Sequence, residues 1–223
     1  MVCIILPAYN EAPVIEQVLD SLKKQKLKAK IVVIDDGSTD ETAKIARKKE
    51  VGVLRHVLNR GLGGALGTGL AFAKKAGADI AVTLDSDGQH DPADIKRVVK
   101  PILDGKADVV IGTRWKSNRG EIPFDRKVIT IASNILTFFL FGILTSDSQS
   151  GFRAFSKKAI DTIIIRTQGM EVSSEFFGEI KKNKLRLAEV PIKVIYTPYS
   201  RKKGQTNLNS IQILLKLILR LFR

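Results

Sequence analysis

A chain of 223 residues, 44% of them hydrophobic, is long enough for one sizeable α/β domain with a short appended piece, and global disorder is excluded. The formal net charge of +14 points to anionic partners: phosphorylated substrates, acidic lipid headgroups or nucleic acid. The single cysteine, Cys3, lies in the first apolar run, so it excludes an internal disulfide, fits core packing and makes an intracellular setting the expectation. Met1–Pro7 carries no basic region ahead of its apolar residues, and no secretory leader is expected.

The first half alternates strand and helix signals. Val2–Leu6 is a predicted strand, followed by helical spacing over Ala12–Lys24 and a second buried strand at Ile31–Ile34. Ser38 or Thr39 is the expected cap of the next helix, which carries Ala43, Ile45 and Ala46. Val51–Val57 reads as a strand, then a Gly-rich turn at Asn59–Ala65 and a helix through about Lys75. Asp79–Leu84 and Val109–Ile111 are further strands, with a helix over Pro92–Leu103 between them. Such alternation predicts an α/β fold: a mostly parallel central sheet with helices on both faces. Ligands then bind beyond the carboxyl ends of the strands.

After Arg114 the rhythm changes. A polar loop, Lys116–Asp125, leads into an apolar helix from Arg126 to Leu144, and strands are expected at Phe152–Phe155 and Leu187–Tyr196 with a helix near Ser174–Lys182. The apolar stretch Val128–Leu144 is 17 residues long and contains Thr130, Ser133, Asn134 and Thr137, so it reads as an amphipathic helix, buried or interfacial, rather than a membrane span. Leu208–Arg223 forms a predicted last helix whose cations Lys216, Arg220 and Arg223 share one face. That pattern suits a helix lying in a membrane interface, the alternative being a helix packed on the domain or on a second copy. The division expected is a catalytic domain over 1–206, including an apolar interface helix at 126–145, and an amphipathic C-terminal helix over 207–223.

The chemistry concentrates at strand ends. Asp85-Ser86-Asp87-Gly88-Gln89-His90 follows the fourth strand, and oxygens from Asp85, Asp87 and Gln89 could hold one Mg²⁺ or Mn²⁺. A cation there would neutralise a departing diphosphate. An acidic turn of this length also occurs without a metal. Pro7-Ala8-Tyr9-Asn10-Glu11 follows the first strand and Asp35-Asp36-Gly37-Ser38-Thr39-Asp40 the second, where carboxylates could accept from ribose hydroxyls or a base N–H, or could serve turns and caps. The glycines of Asn59–Ala65 do not follow the first strand of a βαβ unit, so a dinucleotide-binding reading is rejected in favour of a tight turn and close helix packing. His56 and His90 have no cysteine partners and make no zinc signature; His56 is read as structural and His90 as a surface or supporting group. Aromatic residues are 6% and show no stacking pattern, which argues against nucleic acid as the anionic partner.

In this order and spacing, Pro7-Ala8-Tyr9-Asn10-Glu11, Asp35-Asp36-Gly37-Ser38 and Asp85-Ser86-Asp87 resemble the family 2 glycosyltransferases of GT-A fold. Gly112-Thr113-Arg114, Ser150-Gly151-Phe152-Arg153 and Arg201-Lys202-Lys203-Gly204-Gln205-Thr206 resemble the branch that makes polyprenyl-phosphate sugars, the dolichyl-phosphate mannose synthases among them. The resemblance implies a nucleotide-sugar site formed by Pro7, Ala8, Tyr9, Glu11, Ile34, Asp35, Asp36, Asp85, Ser86, Asp87, Gln89, Arg114, Arg201 and Lys203. It implies Mg²⁺ or Mn²⁺ held by Asp85, Asp87 and Gln89, with Asp87, Arg114 and Arg126 as the groups that carry catalysis. Arg126 and Arg153 would meet the phosphate of a polyprenyl or dolichyl phosphate acceptor, and the protein would sit peripherally on the cytoplasmic face of the membrane through its C-terminal helix. Gln205-Thr206-Asn207 departs from the Glu-Ser-Lys usual at that loop, and Gly88 stands where mannose synthases tend to carry Leu, so the sugar and base are left open, with a lean to a UDP-linked donor.

A phosphate monoester acceptor, with a second pKa near ~6, arrives largely ionised and needs positioning more than a base. A hydroxyl acceptor would need one, for which Glu171, Glu175 and Glu179 are the candidates on sequence, exposed helix charge being the simpler reading.

Overall fold

The computed structural model describes residues 1–115, 124–195 and 199, apart from the side chains of residues 124–126. A seven-stranded sheet runs in the order β3-β2-β1-β4-β6-β5-β7. Its strands are β1 (Val2–Ala8), β2 (Ala29–Asp35), β3 (Gly52–Arg55), β4 (Ile80–Thr83), β5 (Val109–Thr113), β6 (Arg153–Ser156) and β7 (Leu187–Pro191). All pairings are parallel except those of β6, which is antiparallel to both β4 and β5.

The apolar runs of β1, β2 and β4 are continuous because both faces of the sheet are covered. Successive side chains of β1 alternate between two cores. Cys3 and Ile5 point into the one built with α3 (Gly61–Lys75), α6 (Lys157–Thr162) and α7 (Val172–Lys182). Ile4 and Leu6 point into the other, built with α1 (Ile15–Lys24) and α4 (Ile95–Leu103). α2 (Thr42–Lys48) contributes Ala46 to the second core. Cys3 is fully buried, and burial pushes its thiol up to about 11, as expected of a packing residue.

Several boundaries differ from the sequence reading. β3 stops at Arg55 and leaves Val57 and Leu58 exposed, since its edge position gives those side chains nothing to pack against. β7 stops at Pro191, and among the described residues beyond it a single bridge joins His90 and Val194. The short helix α6 was not foreseen; Ser156 caps it by accepting from Ala159 N. Neither Ser38 nor Thr39 caps α2. That service falls to Asp40, whose carboxylate accepts from Thr42 N at 3.0 Å. The glycines of 59–65 form the first turn of α3 rather than a loop.

The long helix α5 (Phe124–Phe141) ends where Gly142 takes a positive φ of 68°, earlier than the Leu144 expected. Its two faces are reversed relative to an ordinary surface helix. Thr130, Ser133 and Thr137 are buried against the domain, whereas Val128, Ile131, Ile135, Phe138 and Phe139 are exposed. No helix among the described residues is long and apolar enough to cross a membrane. The predicted C-terminal helix and the loop carrying Arg201 and Lys203 lie outside the described residues.

Candidate functional site

Parallel register brings the polar motifs to one edge. Ala8, the last residue of β1, is opposite Asp35, the last of β2, and β4 ends at Thr83 beside Ile5. The segment after β4 then turns back on β1, with Leu84 N donating to Ile5 O at 3.1 Å and buried Ser86 Oγ donating to Pro7 O at 2.7 Å. Gly88 adopts φ 79°, the left-handed conformation that reverses the chain after Asp87.

Asp85 lies deep among protein atoms yet keeps 39% of its side chain open to solvent. Burial raises its pKa, and the charges of Arg114 and Arg153 act the other way. Asp87 is raised as well, by burial first and then by the charge of Asp85. Two carboxylates that burial makes costly to ionise, one of them made costlier still by the other, form a site that gains from a positive charge between them. The donors are hard oxygens. Among the described residues no three His, Cys, Asp or Glu side chains gather into a closed metal cage. Two hard carboxylate donors fit Mg²⁺ or Mn²⁺, ions that usually keep water and substrate phosphate as their other ligands. Gln89, expected as a third ligand, braces Asp87: its backbone N donates to Oδ1 at 2.9 Å and its amide nitrogen to Oδ2 at 2.5 Å. His90 supports Asp85. Its Nδ1 accepts from Asp85 N at 3.2 Å, its Nε2 faces Asp85 Oδ2 at 3.8 Å, and burial draws it down to about 4, so it is neutral at pH 7.

The two loops expected to hold the nucleotide are stitched together. Asn10 N donates to Ser38 Oγ at 3.0 Å, Thr39 N to Asn10 Oδ1 at 2.9 Å, Glu11 N to Thr42 Oγ1 at 2.8 Å and Ala12 N to Asp40 Oδ2 at 3.0 Å. Ser38 and Thr39 thus hold the first loop instead of a helix end. Tyr9 is 42% exposed. Pro7 contributes the carbonyl that Ser86 binds, and Ala8 O accepts from Asp36 N at 2.8 Å. Ile34 is fully buried in the core beneath. Glu11 is buried and accepts from the hydroxyl of Tyr199 at 2.9 Å, a contact the sequence did not announce. Asp35 is fully buried, takes Ser38 N at 3.2 Å and lies 3.0 Å from Arg55 Nε.

Asp36 performs a different task from the one expected. Its carboxylate accepts from Arg60 N at 2.9 Å and Gly61 N at 2.7 Å, which makes it the cap of α3, and it also meets His56 Nδ1 at 2.6 Å. His56 is structural, as read, bridging Asp36 to Thr68 Oγ1 at 2.9 Å. Two further amides of α3 are also spent: Gly63 N and Gly64 N both donate to Gln168 O, at 2.8 and 3.2 Å. This Gly-rich helix start, which would suit a phosphate, is satisfied by the chain itself. The glycines are there for close approach, because a Cβ on Gly63 would stand 2.2 Å from Thr167 O. Gly63→Ala is expected to cost about 2 kcal/mol by overpacking. Differential scanning calorimetry should show this as a fall of roughly 4–8 °C in Tm.

The basic side of the cleft is built by the turn after α5. Arg114, following β5, is held by Asp147 through Nε–Oδ2 at 2.7 Å and NH2–Oδ1 at 2.6 Å, with Arg114 N also donating to Oδ2 at 3.1 Å. Asp147 has no exposed surface. Its turn is fixed from both sides. Glu189 on β7 accepts from Thr145 Oγ1, Ser146 N and Ser146 Oγ, while Asn134 on α5 donates to Ser146 O at 2.8 Å and accepts from Ser148 N at 2.9 Å. Arg153, expected to face an acceptor phosphate, is instead 3% exposed. It donates to Ser150 O and Ser148 O, both at 2.9 Å, and lies over the Phe176 ring at 4.6 Å. Arg126 belongs to the first turn of α5, and its side chain lies outside the described set; Arg201 and Lys203 lie outside it altogether.

Two of the three carboxylates considered as bases, Glu175 and Glu179, are engaged elsewhere. Glu175 accepts from Arg166 N and Thr167 N, each at 2.9 Å, and from Thr167 Oγ1. Glu179 is buried, not exposed, and accepts from Ile164 N at 3.1 Å. Both secure the segment that packs on α3.

Comparison with known proteins agrees with this fold. The model of glycosyl transferase family 2 matches residues 3–164. An uncharacterised protein of Methanocaldococcus jannaschii is 46% identical over 97% of this chain and 90% of its own. The UDP-N-acetylglucosamine–dolichyl-phosphate N-acetylglucosaminyltransferase of Methanococcus voltae is 38% identical over 98% of this chain and 95% of its own. Among solved structures, glucosyl-3-phosphoglycerate synthase of Mycobacterium tuberculosis, crystallised with Mn²⁺, UDP and phosphoglyceric acid, superimposes with a TM-score of 0.71 at 22% identity, covering 97% of this chain and 78% of that one. The chain belongs to glycosyl transferase family 2, has the GT-A fold and is a glycosyltransferase.

Proposed function

We propose that the enzyme transfers a hexose or N-acetylhexosamine from a nucleoside-diphosphate sugar, with UDP favoured as the nucleotide, to the phosphate of a polyprenyl or dolichyl phosphate, with inversion at the sugar C1. The observation that carries the reading is the pairing of Asp85 and Asp87, two partly open carboxylates of raised pKa, with the Arg114 guanidinium anchored on the same sheet edge. The Methanococcus relative, which uses a UDP-sugar and a dolichyl phosphate, supports the choice of donor and acceptor.

In this reading Asp85 and Asp87 hold Mg²⁺ or Mn²⁺, which supplies charge neutralisation for the departing diphosphate. Tyr9 and the stitched loop around Asn10 and Asp35 receive the base and ribose. Arg114, fixed by Asp147, faces phosphate oxygens without reorganising as charge develops. Arg126, Arg201 and Lys203 are proposed as further phosphate-facing cations. An ionised phosphate acceptor needs no protein base, and the engagement of Glu175 and Glu179 with backbone amides accords with that.

The acceptor is a lipid, and α5 offers it a surface. Val128, Ile131, Ile135, Phe138 and Phe139 form an outward apolar stripe, while Asn134 on the inner side of the helix reaches the turn that carries Asp147. We assign this stripe, with the helix expected over 207–223, to contact with the membrane or with the polyprenyl tail, and place the enzyme peripherally at the cytoplasmic face. The test is direct: purified protein, Mn²⁺, labelled UDP-N-acetylglucosamine, UDP-glucose or GDP-mannose, and dolichyl phosphate in detergent. A chloroform-soluble sugar phosphate formed from one donor and abolished by EDTA is the expected result. Transfer only to a sugar or lipid hydroxyl would replace this reading by the hydroxyl-acceptor alternative.

A further inference from the structure

The motif Ser150-Gly151-Phe152-Arg153 is left without a task once Arg153 is found buried, and its geometry supplies one. A Cβ built on Gly151 would lie 2.3 Å from Asp85 Oδ1 and 2.5 Å from Oδ2, so the carboxylate rests directly on the glycine Cα. Gly151 has no left-handed φ that would demand glycine. Space, not backbone conformation, is what the missing side chain provides. The level of this seat is fixed from below: buried Thr83 Oγ1 donates to Gly151 O at 2.8 Å, and Arg153 holds the two carbonyls of Ser148 and Ser150. The guanidinium is in turn fixed over Phe176.

We propose that the 148–153 segment is the seat that sets the position of the Asp85 carboxylate, with Gly151 as the positioning residue and Thr83 and Arg153 as its supports. The proposal rests on the metal reading of Asp85 and Asp87 and adds to it the reason why one carboxylate stands where a cation can reach it. Among the described residues the side chain of Asp85 is held loosely: His90 Nε2 stands 3.8 Å from Oδ2, and Arg114 and Arg153 act on it as charges. An added methyl group would therefore rotate the carboxylate away and leave the fold intact, because the atoms it displaces are the free end of a side chain.

The experiment titrates Mn²⁺ into the full-length chain in the presence of UDP, following the free-ion signal by electron paramagnetic resonance, with circular dichroism to record the fold. Gly151→Ala is expected to retain its secondary structure and a near wild-type Tm while binding Mn²⁺ roughly 10–100-fold more weakly, the range seen when a supporting partner of a metal ligand is lost. Thr83→Val, which removes the bond to Gly151 O, should weaken binding in the same direction by less. Wild-type Mn²⁺ affinity in Gly151→Ala, with loss of binding in Asp85→Asn, would overturn the seat and leave the metal site standing. Unchanged binding in Asp85→Asn would overturn the metal reading itself. Should Gly151→Ala fail to fold, Thr83→Val decides alone, and wild-type affinity there counts against the proposal.

Discussion

Replacing Asp85 or Asp87 by Asn is expected to lower sugar transfer by at least about 100-fold, with the fold retained. The argument has two halves. A carboxylate that contacts the cation contributes chiefly as the diphosphate departs, so its loss falls on kcat as well as on donor KM. In the metal-free protein the same two groups oppose each other, since burial and mutual charge raise the pKa of Asp87 and burial raises that of Asp85. Neutralising one should then leave Tm unchanged or increase it, a trade of stability for function common at binding sites. Initial rates at saturating Mn²⁺, paired with thermal denaturation in EDTA, check both halves at once. A variant that lost activity through unfolding would fail the second.

The second large effect falls on Asp147, a residue with no exposed surface that binds Arg114 through both oxygens. Asp147→Ala breaks a largely buried charge pair and leaves the turn after α5 without its central acceptor. The expected loss is about 3 kcal/mol, because Arg114 keeps some access to water. That corresponds to a fall of roughly 6–12 °C in Tm. Released from its bidentate partner, the guanidinium samples many positions, and a displaced positioning group costs on the order of 100-fold in rate. Arg114→Ala should lose a similar factor. The double variant should lose little more than either alone, since both remove one unit. Additive losses would show that Asp147 acts on something other than Arg114.

The central sheet was readable from the sequence because continuous apolar runs in β1, β2 and β4 have only one environment that suits them, a sheet buried on both faces. The acidic turn at Asp85–Asp87 was readable for the same reason: its strand was plain, and the turn marks that strand's carboxyl end. Asp36 misled because a carboxylate after a strand looks alike whether it binds a ribose or caps α3, a helix that begins 25 residues later. Arg153 misled in a related way. Its chemistry suits a phosphate site, but its orientation is decided by the carbonyls of Ser148 and Ser150. Asp147, Asn134 and Glu189 were missed because no local pattern marks them. Each acquires its role from a partner on another element, and only the run Ser146-Asp147-Ser148 hints that a polar turn is being built. The reversed faces of α5 were half visible: Thr130, Ser133, Asn134 and Thr137 share a helical stripe, but sequence does not say which stripe faces inward.

The most direct test is a crystal of the full chain grown with UDP and Mn²⁺, with anomalous data collected at the manganese edge. The account predicts one strong anomalous peak touching carboxylate oxygens of both Asp85 and Asp87 and the diphosphate of the nucleotide. Bound nucleotide with no manganese beside these two side chains, or with both turned out of the cleft, would contradict it.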